Sequence, residues 1–304
     1  VYSSQNNETE LKNRLLEWHP LKSELLPEVE AVERLAVERS AAIIAVSRED
    51  AESLVKGKRT AGPTVVVRNG AAMPAGGEAV EHTKLKFRKQ IGNRSAVFLG
   101  SSHMPNVEAA LFIVEQLAPQ CQDVRFHLLG SVCSAIPRAP KNVHLWGVVD
   151  EVIKSAVLQS CPLALNPMFS GSGSNVKLAD YLANGLFVIT TEFGHRGYPD
   201  SIKEHVSVVS KEDFARSILQ ILSTPTLYSV EAKETRHALF VRELAMENLA
   251  QRFVETLKAL EKPKKRILYV AYRYTYPPLG GAEANIEKFV HALGRSGEFD
   301  VDVI

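Results

Sequence analysis

Only three cysteines occur in the 304 residues, Cys121, Cys133 and Cys161. The number is odd, the spacing is wide and no Cys-x-x-Cys pair is formed. Neither a disulfide framework nor a structural zinc site is indicated, and a reducing compartment fits. No apolar stretch approaches the ~18 residues that span a bilayer. Charge of one sign is not in excess either, with 36 Lys and Arg against 35 Asp and Glu. This balance argues against a dedicated nucleic-acid binder, which shows as a basic surplus. Tryptophan is confined to Trp18 and Trp146, and both read as packing residues rather than sugar platforms. No signal peptide is visible, and the start at Val1 rather than Met reads as an interior cut in a longer polypeptide. Apolar residues are plentiful, 45% of the chain. The length suggests two domains, or one with pieces of another, at ~100–200 residues per domain.

Residues 1–3 read as the end of a strand, and a charged helical pattern covers about 8–40, interrupted near Pro20 and Pro27. A short apolar run at 41–46 and a β-branched strand at 64–67 follow, the latter closing on Asn69-Gly70. Residues 71–90 read as a linker. From residue 95 the rhythm is regular. Strands are expected at 96–99, 124–129, 142–146, 163–166, 187–191 and 205–209, with helices at 105–117, 150–159, 174–184 and 211–222. Such alternation predicts an α/β fold with right-handed crossovers and a parallel, doubly wound sheet covered on both faces. A further amphipathic helix is expected over 237–260, then the basic break Lys262-Pro263-Lys264-Lys265-Arg266. A strand at 267–271, a helix at 284–293 and a strand from 301 follow it. The only Asp-x-Asp, Asp300-Val301-Asp302, reads as the start of that strand and not as a metal site.

In an open parallel sheet, ligands bind beyond the carboxyl ends of the strands. Two loops there carry chemistry. The first, Leu99-Gly100-Ser101-Ser102-His103-Met104-Pro105-Asn106, has small residues before a helix that Pro105 can start. Free backbone N–H groups at such a place can hold a phosphate, although an ordinary tight turn accounts for this loop by itself. The second begins at Asn166-Pro167 and continues Ser170-Gly171-Ser172-Gly173-Ser174-Asn175 into a helix that Gly185 can end. On that helix Val176, Ala179 and Ala183 form an apolar face. Lys177, Asp180, Tyr181 and Asn184 form a polar stripe at i, i+3, i+4, i+7. A glycine-rich loop, a cation and a carboxylate so arranged suit a nucleoside diphosphate: donors for phosphate, an acid for ribose hydroxyls. By spacing alone, a solvated loop with a Lys–Asp pair is an equal reading. For His195 and Arg196, in the loop at 192–197, a donor- or acceptor-facing role and a solvated loop are likewise both open. His19 and His103 read as structural or exposed.

Taken in order, these residues carry a resemblance: Phe98-Leu99-Gly100, Pro105-Asn106, Ala109, Gly130, Val143, Gly147-Val148-Val149, Asn166-Pro167, Ser170 to Asp180, Gly185, Thr190-Thr191, Gly194 and Gly197. The set resembles the nucleotide-sugar domain of GT-B-fold glycosyltransferases, closest to glycosyltransferase family 4. The resemblance implies a Rossmann-like doubly wound sheet plus a partial second α/β unit. Residues 1–71 are similar to the end of a GT-B N-terminal (acceptor) domain, with Ala45-Val46-Ser47 as a landmark. Residues 72–236 are similar to the nucleotide-sugar-binding domain, and 237–263 to the crossover helix and linker. Residues 264–304 are similar to the start of a second N-terminal domain, with Pro277-Pro278-Leu279-Gly280-Gly281 as its glycine loop. Another arrangement is open, in which 266–304 pack beside 1–70 and complete one sheet. Contacts between 267–270 and 42–46 decide between them.

The resemblance implies a transferase that binds a UDP- or GDP-sugar without a metal. It would move the sugar, with retention, to a hydroxyl of a glycan, polysaccharide or lipid-linked acceptor. Lys177 and Asp180 are then the catalytic-site candidates. Gly100, Ser101, Ser170, Gly171, Ser172, Gly173, Ser174 and Asn175 are the donor-binding candidates. A cytoplasmic protein, peripheral to the inner face of a membrane, is implied, and the isolated segment is expected to transfer sugar poorly. Two departures stand against the family pattern. Of its two loop glutamates, the ribose-side one is Asp180 here and the sugar-side one is Ser172. The Arg and Lys expected after the first strand are absent, which makes Lys177 the substitute cation. These losses keep a second reading in play, a degenerate nucleotide-sugar-binding or scaffolding module. A dinucleotide oxidoreductase fits the sheet pattern, but only Gly100, and no Gly-x-Gly-x-x-Gly, follows the 96–99 strand.

Overall fold

The structure, a computed structural model, describes residues 1–60, 62–170, 175–259, 265–269, 281–295 and 299–303. The chain opens with β1 (Tyr2–Ser4), α1 (Glu8–Leu15), α2 (Lys22–Arg39), β2 (Ile43–Ala45), α3 (Arg48–Val55) and β3 (Thr64–Val66). Then come α4 (Glu78–Ile91), β4 (Ser95–Leu99), α5 (Met104–Phe112), a π-helical turn at Ile113–Leu117, α6 (Ala118–Gln120), β5 (Arg125–Leu129) and β6 (Val143–Gly147). Next are α7 (Glu151–Ser160), β7 (Leu163–Asn166), α8 (Lys177–Ala183), β8 (Phe187–Thr190), α9 (Glu192–His195), β9 (Val206–Val208) and α10 (Phe214–Leu222). The last elements are α11 (Val230–Leu244), α12 (Met246–Lys258), β10 (Lys265–Tyr269), α13 (Gly281–Arg295) and β11 (Phe299–Val303). Two compact units result. One runs from Gly70 to Ala245; the other joins Val1–Asn69 to the described residues from Met246 onward.

The unit from Gly70 to Ala245 is built on a six-stranded sheet of order β6-β5-β4-β7-β8-β9, every pair parallel. The expected doubly wound, Rossmann-like α/β sheet is therefore present. Alternation along the strands divides its core. On one face Phe98, Phe112, Phe126, Leu128 and Phe214 pack together; on the other, Val97, Leu129, Leu158, Leu178, Leu182 and Phe240 do. Gly130 follows β5 at φ 102°, and a side chain there would meet the Gly100 carbonyl oxygen at 2.2 Å. That close approach sets the two loops after β4 and β5 against each other. The sheet runs outward in both directions from β4 and β7, so the switch point lies between their carboxyl ends.

Three local expectations are corrected. The stretch read as a linker contains α4, whose Val80 and Ile91 are buried and whose Phe87 packs edge-on to Trp146 at 4.9 Å. Its apolar stripe is narrow, and charge hid the period. Pro27 does not interrupt α2, because it lies on the exposed side, where water can take the freed carbonyl. The 237–260 pattern is two helices divided at Ala245, which leaves the helical region at ψ 129° and donates to the Phe240 carbonyl.

The second unit has a five-stranded parallel sheet, β11-β10-β1-β2-β3. Tyr2 stands between Leu268 and Ile43 in register. Strands β10 and β11 thus share one sheet with the first residues of the chain, and β10 borders β1 rather than β2. Ile44, Met246, Phe253, Leu257, Ile267, Ile286, Phe289 and Leu293 form their common core, with Phe253 and Phe289 edge-on at 6.1 Å. The Asp-x-Asp lies within β11. The glycine-loop residues Pro277, Pro278, Leu279 and Gly280 fall outside the described residues.

Because Phe289 packs on Phe253 beneath strands from both ends of the chain, Phe289→Ala should destabilise this unit by about 3–5 kcal/mol. Hydrogen exchange should then lose protection at residues 2–4 and 43–45 together. Retained protection at 2–4 would show that β1 does not depend on residues 265–303.

Candidate functional site

The carboxyl ends of β4 and β7 bring two sequence-predicted groups together. After β4, the Ser101 hydroxyl accepts from Asn106 Nδ2 at 3.0 Å. After β7 come Asn166, Met168 and Ser170, and Asn175 lies just before α8. Lys177, the first residue of α8, donates to Asn106 Oδ1 at 2.6 Å. Its Nζ also lies 3.2 Å from Met168 Sδ and 5.2 Å from the Phe98 ring centre. Ser101, Asn106 and Lys177 therefore form one chain across the switch point. An ammonium can only donate, so Asn106 must turn its oxygen to Lys177 and its amide nitrogen to Ser101. Asn106 was not among the residues expected to bind; its place behind Pro105 in the βα loop was the available signal.

Burial lowers the Lys177 pKa to about 7, and Asp180 offsets this only in part. Asp180 stands 3.7 Å from Lys154 on α7, which also pairs with Glu151 at 2.7 Å. Lys154 is raised overall: burial opposes its charge, but Asp180 and Glu151 outweigh it. The acid and the cation of α8 thus share an end of the helix but have different partners.

Other expected site residues fall as follows. Ser170 donates to Glu108 Oε2 of α5 at 2.8 Å, so its hydroxyl is engaged within the unit. The Asn175 carbonyl accepts from Tyr198 Oη at 2.7 Å and from the Leu178 amide at 3.0 Å. Gly171, Ser172, Gly173 and Ser174 lie outside the described residues. The first loop's amides are less available than expected. Gly100 N–H donates to the Leu129 carbonyl at 2.9 Å, and Ser102 N–H to Ser131 Oγ at 2.9 Å.

The polar stripe expected on α8 is corrected. Tyr181 is fully buried; its hydroxyl accepts from Leu99 N–H at 2.8 Å and donates to the Leu165 carbonyl at 3.1 Å. It ties β4 to β7. Asn184 is buried as well and donates to the Asp180 carbonyl at 2.9 Å. Tyr181 points into the sheet beneath α8, and Asn184 accepts from Gln159 of α7 at 3.3 Å; α11 packs on α8 as well, with the Arg236 guanidinium on the Gly185 carbonyl at 2.9 Å and His237 Nδ1 2.6 Å from the Ala183 carbonyl. Gly185 ends α8 as expected, at φ 72°.

Beyond β8, the Thr191 hydroxyl caps α9 by accepting from Gly194 N–H at 2.9 Å, and Asn166 Nδ2 holds the Gly194 carbonyl at 3.0 Å. Within this frame His195 is buried, not solvated, and its Nε2 has no partner among the described residues. Burial first, then Lys203, lowers its pKa. Arg196 lies over the Phe193 ring at 4.8 Å. Trp146 is a packing residue, as expected, but Trp18 is 91% exposed, contrary to expectation, because it occupies the turn between α1 and α2. His19 and His103 are exposed. No group of three or more His, Cys, Asp or Glu suited to a metal ion occurs among the described residues. None of their helices is long and apolar enough to cross a membrane.

Residues 93–224 match the sequence model of the family described as glycosyl transferases group 1. Among curated proteins no sequence match is found. Solved structures share the fold. Alr3699/HepE of Anabaena, in complex with UDP and glucose, aligns with TM-score 0.58 at 16% identity, over 77% of this chain and 68% of that one. Sucrose-phosphate synthase of Thermosynechococcus elongatus aligns with TM-score 0.62 at 14% identity, over 85% and 67%. WaaG, a glycosyltransferase involved in lipopolysaccharide biosynthesis, aligns with TM-score 0.55 at 16% identity, over 78% and 69%. The resemblance read from the motifs is met in the GT-B glycosyltransferase fold, and the group 1 match falls on the six-stranded unit.

Lys177 binds its proton less tightly folded than unfolded, so it lowers stability most below about pH 7 and progressively less as pH rises towards its ordinary value of 10.5. Lys177→Met should therefore gain about 1–3 kcal/mol in urea unfolding at pH 6, the gain shrinking between pH 7 and 10. A gain that is constant with pH would mean that the ammonium is not desolvated.

Proposed function

We propose that the unit from Gly70 to Ala245 binds a nucleoside diphospho-sugar and that the protein transfers the sugar, with retention, to an acceptor hydroxyl. The observation that carries this reading is the Lys177 ammonium, set at the switch point of a GT-B sheet on neutral partners. Asp180 offsets the burial of this cation only in part, and a diphosphate supplies further negative charge. The UDP and UDP-glucose complexes of the HepE fold relative support a nucleotide-sugar donor of the UDP or GDP class.

In the reaction, the bond from the anomeric carbon to the diphosphate breaks while an acceptor oxygen bonds to that carbon and releases its proton. The transition state has oxocarbenium character, and negative charge grows on the leaving phosphate. Fixed positive charge facing that phosphate is the largest contribution such a site can make. Lys177 is placed to supply it. Asp180, paired with Lys154, suits the ribose hydroxyls. Ser101 and the loop of residues 170–175 complete the donor cradle in this reading. Since α8 has only seven residues, its dipole adds little and the lysine carries the electrostatics.

A hexosyl donor, a glycan, polysaccharide or lipid-linked carbohydrate acceptor, a cytoplasmic site peripheral to a membrane and a place within a longer polypeptide belong to the same proposal. So does glycosyltransferase family 4 as the closest branch, with residues 1–71 and 264–304 derived from acceptor domains. A second reading, a non-catalytic nucleotide-sugar-binding or scaffolding module, is favoured by Ser172 standing where relatives carry a glutamate and by the engaged amides of Gly100 and Ser102.

Calorimetry with UDP- and GDP-sugars separates these readings from a bare fold likeness. At least one should bind, and Lys177→Met should weaken it by about tenfold or more. No binding of any member at millimolar concentration would count against both. Sugar release or transfer by this chain is expected to be low, and full turnover would overturn that expectation. Binding without transfer by the longer polypeptide would favour the non-catalytic module.

A further inference from the structure

We propose that Asn106 is a positioning residue for the donor: it holds the Lys177 amino group with a neutral acceptor instead of a carboxylate, so that it is the arriving diphosphate that draws a proton onto Lys177 and pairs with the resulting charge. This rests on the function proposed above. It concerns a residue outside the glycine-rich loop and explains how the site manages with one cation.

The geometry is specific. Lys177 is half-buried, and its Nζ meets an amide oxygen, a thioether sulfur and an aromatic face, all three uncharged. An amide oxygen accepts one hydrogen bond without cancelling the charge, whereas a carboxylate at 2.6 Å would do both. Asn106 is itself oriented by Ser101, which accepts from its other end. Asp180 offsets the burial of Lys177 only in part, and the carboxylates nearby have other partners. Asp180, one turn along α8, meets Lys154 of α7, and Glu108 of α5 takes the Ser170 hydroxyl. Tyr181 of α8 and Tyr198, which follows α9, hydrogen-bond to backbone and stay neutral, their pKa values pushed up by burial. The lysine therefore waits as a weakly held proton acceptor, in keeping with a pKa lowered to about 7. An arriving diphosphate supplies negative charge, raises that pKa and draws a proton from solvent onto Nζ. Loss of the diphosphate reverses the step.

Asn106→Asp tests this, since it keeps the shape and adds a counter-charge, while the Ser101 hydroxyl can reverse and donate to the new carboxylate. Titrations of the whole chain with UDP and with GDP at pH 8, in buffers of different ionisation enthalpy, give affinity and proton uptake together. The wild-type protein should take up about one proton per nucleotide bound. Asn106→Asp should lose about tenfold or more in affinity and show almost no uptake, with unchanged or higher thermal stability. NMR of 13C-methylated lysines in the ligand-free protein should place Lys177 near neutrality in the wild type and above about 9 in Asn106→Asp. Equal affinity and equal uptake in the two proteins, or equal Lys177 pKa values, would overturn the role of Asn106 while leaving nucleotide binding standing. Failure of wild-type protein to bind either nucleotide would overturn both this role and the function proposed above.

Discussion

An ammonium group enclosed by uncharged partners is the constraint on which the site of this protein depends. Charges taken from water normally find a counter-charge. Lys177 instead finds an amide oxygen, a thioether and a ring, while the acid on its own helix faces Lys154. The arrangement costs the folded state some stability and leaves an attraction unsatisfied at the mouth of the sheet. A fold can keep such a cost only if its surroundings are rigid enough to prevent the lysine from swinging out to solvent.

That rigidity comes from how α8 is held. Tyr181 anchors the helix to β4 and β7 at once through Leu99 and Leu165, and Leu178 and Leu182 fill the core beneath. From above, Arg236 and His237 of α11 bind the Gly185 and Ala183 carbonyls. Asn166 and Thr191 fix the neighbouring loop after β8 against the end of β7. The switch point is thus framed by two rigid strands and one clamped helix, an arrangement that places polar groups more narrowly than loops alone can.

The second unit follows a different logic. Its sheet takes strands from the first and the last described residues of the chain, with β10 beside β1. Each portion by itself presents an uncovered apolar face, Ile44 and Val67 on one side and Ile267, Ile286 and Phe289 on the other, and the two faces make one core. Residues far apart in sequence complete each other because a parallel edge strand needs a partner of the same direction and pattern, whichever part of the chain supplies it.

Much of this was legible beforehand. Six strands of the larger unit, their order of appearance and the glycine that ends α8 followed from apolar runs separated by helical periods, because those signals are local. The presence of Lys177 and Asp180 one turn apart was equally plain from spacing. Which way they face was not: Tyr181 and Asn184 share their stripe, yet are buried, since helix periodicity cannot tell that Tyr181 reaches β4 and β7 or that α7 meets Asn184. Trp18 read as a packing residue and stands in solvent, and His195, for which a ligand-facing role and a solvated loop were both open, is enclosed. The residues alone determined the α/β class, the two loops beyond the strands and the scarcity of positive charge among them. Tertiary packing decided that Asn106, and not a carboxylate, would hold the single ammonium, because that choice depends on contacts between segments some seventy positions apart.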